Sequence, residues 1–352
     1  MIVTVTANPA LDVTYHLDRV AWHGSNRVED VAARAGGKGV NVARVLAALG
    51  IPAAVLGPVG GRTGEQIRED LAAAGLRDAT VPVAAESRRT TTVVDASADD
   101  ATVFNEAGPH LGDADWARLR DAYDALLGDA RGVALCGSLP PGAPTDLYAG
   151  LVRRARDAGV PVLLDTSGPA FRAGLAAGPD LVKPNADELR DATGESDPGQ
   201  AVAALSAMLR AAGGDAVVAS LGPRGLRAAT GAGWWRARLP YAIHGNPTGA
   251  GDAGVAALLA GLTAGRPWPD LLAEAVAWSA SAVAAPLAGS VDRTTYATAR
   301  AHVLVSATEP PERRPPDSGP RESGLSESGP SESGPSESGP SERNCHAAHG
   351  DR

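Results

Sequence analysis

The sequence predicts an α/β protein built on a mainly parallel sheet with helices on both faces. Three observations lead there. Short apolar runs alternate with amphipathic stretches from residue 1 to about 305. Successive apolar runs end in clusters of small and polar residues, as strands do where an open α/β sheet binds ligand. The chain has 352 residues, 44% of them apolar, enough to bury the core of one large domain with a small extra one, or of two average domains.

Taken in order, residues 2–7 read as a strand and 40–49 as a helix, with Val42, Val45, Leu46 and Leu49 on one face. Segments 12–33 and 88–105 contain short polar–apolar alternations such as Thr90-Thr-Thr-Val-Val94, expected to be antiparallel strands of a small separate sheet. Such a projecting sheet suits a lid or a dimer surface. Further strands are expected at 133–136, 160–164, 181–182 and 216–220. The stretches between them read as helix at 145–158, a short turn near 170–176, and helix at 200–212. The four strands run into Cys136-Gly-Ser-Leu-Pro-Pro-Gly142, Asp165-Thr-Ser-Gly168, Lys183-Pro-Asn185 and Ser220-Leu-Gly-Pro-Arg-Gly225. One such exit is an ordinary turn; four on one edge describe a site. From about residue 310 the composition collapses to Ser, Glu, Gly and Pro, with Ser-Glu-Ser-Gly-Pro recurring between Ser326 and Pro340. That segment, 310–352, reads as a disordered tail, because it has almost no apolar surface to offset its ordering entropy.

Composition excludes several classes. The net charge of −9 gives no nucleic-acid footprint. Cys136 and Cys345 lie far apart, which argues against a disulfide scaffold and a cysteine zinc site. The first residues lack the pattern of a signal peptide, and no apolar run reaches the ~18 residues of a membrane span. A cytoplasmic protein without membrane contact is expected.

Of the 32 basic residues, two are lysines, Lys38 and Lys183; the rest are arginines. Both lysines fall in Gly/Pro/Asn motifs, where a compact point charge suits and a broad guanidinium does not. Asn246-Pro-Thr-Gly-Ala-Gly-Asp252 is followed by apolar residues at helical spacing, Val255, Leu258, Leu259 and Leu262. Gly249, Ala250 and Gly251 are therefore expected just before a helix, where free backbone N–H groups and the helix dipole bind anions. An isolated Gly-Asp is more often a plain helix cap. Two glycines flanking an alanine directly before Asp252 favour a carboxylate that takes a proton from an attacking hydroxyl. A second glycine run, Gly36-Gly-Lys-Gly-Val-Asn41, also precedes a helix. It lacks the Ser/Thr after lysine and the upstream glycine of a Walker A loop. The group it cradles is a sugar hydroxyl cluster or a phosphate. No Gly-x-Gly-x-x-Gly follows the first strand, so a dinucleotide oxidoreductase is a poor reading.

Asn8-Pro-Ala-Leu-Asp12, the Gly36–Asn41 run, Asn105-Glu-Ala-Gly-Pro109, Gly137-Ser-Leu-Pro-Pro-Gly142, Lys183-Pro-Asn185 and Gly249-Ala-Gly-Asp252 occur in that order. With them, residues 1 to about 300 resemble the PfkB (ribokinase-like) sugar kinases. The likeness is greatest to the hexose-phosphate branch: 1-phosphofructokinase, tagatose-6-phosphate kinase and the minor 6-phosphofructokinase. The resemblance implies a three-layer α/β/α sandwich with a small β-sheet lid. It implies Asp252 as catalytic base, with Gly249, Ala250 and Gly251 forming the anion hole. Asp12, Gly37, Lys38, Asn41 and Ser138 would hold the sugar, and Arg88 its existing phosphate. Lys183, Asn185, Ser220, Gly222 and Gly225 would border ATP, with Glu188 supporting Mg2+ indirectly. A homodimer joined through the lid strands is also implied. The chain departs from its relatives at Thr248 and Ala253, where Val and Ser are usual, and at Thr90, where Asn is usual. It also carries Pro286 and Leu287 near the expected adenine pocket, where relatives often have a polar residue.

The activity so implied is ATP-dependent phosphorylation of a hexose phosphate, first of all fructose 1-phosphate to fructose 1,6-bisphosphate. Fructose 6-phosphate and tagatose 6-phosphate are the alternatives within the branch. The Arg88-Arg89 pair favours a phosphorylated substrate, although such a pair also occurs as plain solvated surface. A kinase for an unphosphorylated sugar or nucleoside, and a non-catalytic sugar-phosphate sensor, are the remaining readings.

Overall fold

In the computed structural model, residues 1–98 and 100–311 are described; from residue 312 on, the tail assigned to 310–352 lies outside them. The main sheet has ten strands. Seven are parallel, in the spatial order Arg77–Asp78, Ala53–Leu56, Ile2–Thr6, Gly132–Cys136, Val162–Asp165, Leu181–Val182 and Ala216–Ser220. Leu226–Thr230, Gly233–Arg238 and Leu304–Thr308 extend it as an antiparallel edge.

Successive strand residues enter opposite cores. Ile2, Ala134, Cys136, Leu163 and Val218 join one apolar cluster, which includes residues of the helices Lys38–Ala48, Gly61–Ala73, Ala250–Thr263 and Trp268–Val283. Val3, Val133, Leu135, Leu164 and Val217 join the other, with residues of Asp113–Leu127, Leu147–Asp157, Gly168–Ala176 and Pro198–Ala211. Both faces are buried, so the strands read as continuous apolar runs and the architecture is three-layered.

The chain runs from Ile2–Thr6 outward to one side, then returns to pair Gly132–Cys136 on the other. That reversal opens a crevice at the carboxyl ends of these two strands, where α/β sheets bind ligands. Asp165, Lys183 and Ser220 stand at or just past neighbouring strand ends on the same rim.

The small sheet has the order Asp30–Gly36, Ala10–Leu17, Arg88–Asp95, Asp100–Asn105. Its outer pairs are antiparallel, as expected. Its central pair, Ala10–Leu17 with Arg88–Asp95, is parallel, correcting the expectation of an antiparallel sheet throughout. Those two strands belong to separate hairpins, each pairing antiparallel with its own partner, and the hairpins meet side by side in the same direction. Side chains alternate across the strands, so Asp12, Thr14, Arg88, Thr90, Thr92, Val94, Val103 and Asn105 share the face toward the crevice.

Three local expectations are corrected. Residues 168–176 form a helix, not a short turn; Pro169 at its start supplies a preset φ. The helix expected from Val40 starts at Lys38, and that expected to begin at Asp252 starts at Ala250. In both, a glycine with positive φ caps the end, Gly37 at 96° and Gly249 at 86°. The glycine runs therefore do not merely precede the helices: Lys38, Ala250 and Gly251 already lie in their first turns.

Candidate active site

A cavity of about 870 Å³ opens at the crevice. Asp12, Gly37, Lys38, Asn41, Arg88, Lys183, Asn185, Glu188, Ser220, Gly222, Gly225, Gly249, Ala250, Gly251 and Asp252 all line it. Ser138 lines a second cavity, of about 460 Å³, which shares Gly37, Lys38, Arg88, Asn105 and Glu188 with the first.

Asp252 is the third residue of the Ala250–Thr263 helix and is buried. Its Oδ2 accepts a 2.9 Å hydrogen bond from Asn41 Nδ2. Burial pushes the carboxyl up to about 6, helped by Asp165 and opposed by Lys38, the Asn41 bond and Lys183. The Ser279 hydroxyl donates to the Ala250 carbonyl at 2.9 Å and so fixes that helix start. At Gly249 a Cβ would lie 3.0 Å from Ala288 Cα, so this turn has no room for a side chain as well as a left-handed backbone.

Both lysines converge on one buried carboxylate. Lys38 Nζ donates to Asp165 Oδ1 at 3.1 Å, and Lys183 Nζ lies 3.7 Å from Asp165 Oδ2. Burial opposes charge on Lys38, but Asp165, Glu188 (3.8 Å away) and Asp252 outweigh it and hold the ammonium well above the usual lysine range. Burial likewise opposes charge on Asp165, and Lys183 and Lys38 hold it below the usual carboxylate range. Asp165 was visible in the sequence only as a strand exit.

On the small sheet, Asp12 sits in register with Arg34 and Thr90. Burial pushes Asp12 up to about 6 against Arg88, a hydrogen bond to Thr90 and Arg34. A Cβ at Gly36 would fall 1.9 Å from the Asp12 carboxylate, so that carboxylate occupies the space which glycine leaves. Arg88 is held rigidly: Nε donates to the Asn8 carbonyl at 3.1 Å, and Nη1 to Thr90 Oγ1 and the Glu106 carbonyl, both at 3.2 Å. Thr90 thus serves Arg88 and Asp12 together, and its hydroxyl also lies 3.4 Å from Asn105 Oδ1. Arg34, which sequence reasoning missed, reaches across to Ser290 Oγ at 3.0 Å. Period-2 alternation with Asp12 across the pair was its available signal.

Asn185 and Glu188 have a structural task of their own. Asn185 Oδ1 accepts from the N–H groups of Asp187 and Glu188, and Glu188 Oε2 accepts from Asn185 N–H, all at 2.9 Å. This is a reciprocal capping box for Ala186–Thr193. Glu188 Oε1 remains directed at Lys38. Pro286 and Leu287 line the larger cavity beside Tyr241 and Ile243. No helix among the described residues is long and apolar enough to cross a membrane.

A buried carboxylate at a glycine-opened helix start, two anchored ammonium groups and a fixed guanidinium suit phosphoryl transfer to an alcohol. Comparison with known proteins agrees. A Thermotoga maritima protein described as a possible 1-phosphofructokinase superposes with a TM-score of 0.79 at 25% identity, over 88% of this chain and 99% of that one. Escherichia coli phosphofructokinase-2, solved with substrates and products, superposes at 0.77 with 27% identity, over 85% of this chain and 98% of that one. The same E. coli enzyme has been solved in a tetrameric inhibited form, at 0.78 and 27% over the same shares. The family of pfkB carbohydrate kinases matches residues 6–294. The fold is ribokinase-like, the enzyme is a phosphotransferase acting on a sugar hydroxyl, and the chain belongs to the pfkB family of carbohydrate kinases.

Proposed function

We propose that the enzyme phosphorylates a hexose phosphate with ATP, and that fructose 1-phosphate is its substrate and fructose 1,6-bisphosphate its product. One observation carries this reading: two cavities meet at Lys38 and Arg88, with Asp252 in one and Ser138 in the other. A sugar bearing phosphate at one end and a free hydroxymethyl at the other fits such a pair. Arg88 and Ser138 take the phosphate, and Asp12, Gly37, Lys38 and Asn41 hold the sugar. Asp252 accepts the hydroxyl proton as the oxygen attacks the terminal phosphorus. The Gly251 N–H, beyond the Gly249 turn, faces the charge that moves with the phosphoryl group, while that of Ala250 donates to the Pro247 carbonyl at 3.2 Å and holds the turn.

Lys183, Asn185, Ser220, Gly222 and Gly225 border the nucleotide. Among the described residues no group of three His, Cys, Asp or Glu could cage a metal. Mg2+ would keep most of its waters and be held chiefly by the donor's phosphates. Glu188 would orient such a water, and the ion would neutralise phosphate charge. ATP as donor assigns the reaction to the cytoplasm. Tyr15, Val31, Val93 and Phe104 lie on the small sheet's other face, with Val31 and Phe104 more than half exposed. This face supports a homodimer through the lid strands.

The test is ADP release with ATP against fructose 1-phosphate, fructose 6-phosphate, tagatose 6-phosphate, fructose and ribose. Preference for fructose 1-phosphate by tenfold or more in kcat/KM is expected; preference for an unphosphorylated sugar would overturn the reading. A pH profile adds an independent check. Asp252 and Asp12 are both needed ionised, and both titrate near 6. On acidification kcat/KM should therefore fall from about pH 6, with a slope between one and two on a log scale. A limb near pH 4, the ordinary carboxylate range, would mean that burial does not tune these groups.

A further inference from the structure

We propose that Asp165 is the positioning residue for both lysines, its two carboxylate oxygens fixing where the Lys183 ammonium meets the donor's phosphates and where the Lys38 ammonium meets the sugar. The proposal rests on the kinase reading for its function but stands on its own geometry. The sequence holds two lysines among 32 basic residues. They come from distant parts of the chain, Lys38 from the first turn of one helix and Lys183 from the end of a short strand. Asp165 ends the strand beside Leu181–Val182 and takes one lysine on each oxygen, at 3.1 and 3.7 Å.

The surroundings make this an anchor rather than a surface ion pair. Asp165 and Lys183 are buried. Removing Asp165 takes the ion-pair partner from buried Lys183, whereas removing Lys183 leaves Asp165 paired with Lys38 alone. Lys183 Nζ lies 3.5 Å from where a Cβ on Gly251 would stand, so the anchored ammonium rests against the start of the Ala250–Thr263 helix. Lys38, held by the other oxygen, faces Glu188. The carboxylate also separates two like charges that would otherwise repel each other. Lysine suits both places because each oxygen faces a single compact cation, hydrogen-bonded at Oδ1 and at ion-pair distance from Oδ2. A guanidinium is a fork that binds both oxygens of one carboxylate and would displace the second cation.

Two roles for Asp165 make opposite predictions. A carboxylate that merely cancels charge masks its lysines, so each lysine should contribute more to phosphate binding once Asp165 is neutral. A carboxylate that positions them makes each contribute less. The experiment is a double-mutant cycle on the full chain, with Mg2+ present. Affinity for the non-hydrolysable triphosphate AMP-PNP is measured by calorimetry, without sugar, for the parent, Asp165→Asn, Lys183→Met and the double variant. Lys183→Met should weaken binding about tenfold in the parent and less than threefold in the Asp165→Asn background. An equal or larger effect in that background overturns the proposal. Lys38→Arg supplies a second arm that leaves Asp165 in place and so decides the matter if Asp165→Asn does not fold. It should lower kcat at least tenfold; a kcat within threefold of the parent overturns the proposal. Turnover of sugar phosphates by the parent reports separately on the kinase reading.

Discussion

Asp252→Asn should lower kcat by about 10³-fold while leaving ATP affinity within about threefold of the parent. The substitution is isosteric, and the new amide oxygen can still accept the hydrogen bond that Asn41 Nδ2 now gives to Oδ2 at 2.9 Å. Packing of the buried first turn is thereby preserved. What disappears is the basic oxygen proposed to take the hydroxyl proton. General-base catalysis contributes about 10²–10⁴-fold, and 10³ corresponds to about 4 kcal/mol of barrier. Steady-state kinetics with calorimetric ATP titration separates the two effects. Turnover within tenfold of the parent would remove Asp252 from the chemistry and leave it a helix cap. The loss should not be rescued at high pH, because an amide has no proton to shed in that range.

Arg88→Ala should raise KM for the sugar phosphate by about 10- to 150-fold, with KM for ATP changed less than threefold. The factor follows from the ~1.5–3 kcal/mol of a hydrogen bond to a charged group. Three acceptors fix this guanidinium before substrate arrives, so little ordering entropy opposes binding. Its removal also takes away the largest influence that favours the ionised form of Asp12. The acid limb of kcat/KM should therefore move to higher pH in this variant. Arg88→Lys restores charge without the fork and should recover part of the loss. Equal increases in both KM values would mark Arg88 as a support of the small sheet rather than a phosphate ligand.

Much of this site was legible in the sequence because its chemistry sits at strand ends, where apolar runs give way abruptly to Gly, Pro and Asn. The strands at 181–182 and 216–220 have the expected bounds. Helix starts were less legible. A glycine at positive φ caps a helix without the Ser, Thr or Asp that signals a start, so Lys38 and Ala250 were placed outside helices that they begin. The antiparallel edge was missed because Leu226–Thr230 and Gly233–Arg238 mix arginine, alanine and tryptophan without a clear period. Asp165 stands out in the sequence only as the start of one of four strand exits, because a lone Asp after an apolar strand is an ordinary turn residue. Its meaning comes from two lysines that are 145 positions apart in the chain (183 − 38) and meet only when sheet order is known. Asn185 and Glu188 were assigned to nucleotide and metal alone. Their Asn-x-x-Glu spacing also encodes a capping box, and spacing by itself does not separate the two.

Confining both ε-amines to one carboxylate has a practical consequence for handling the enzyme. Amine-directed acylation, the usual route to dyes, biotin and solid supports, finds a protein surface decorated with arginine and almost devoid of lysine. Acylation needs a neutral amine: the Lys183 side chain is 5% exposed, and that of Lys38, 37% exposed, is held as an ammonium by Asp165 and Glu188. A reagent chosen to decorate the outside would therefore spare the cleft and react chiefly at the amino terminus, so that coupling to an activated resin would attach the molecule by a single defined point.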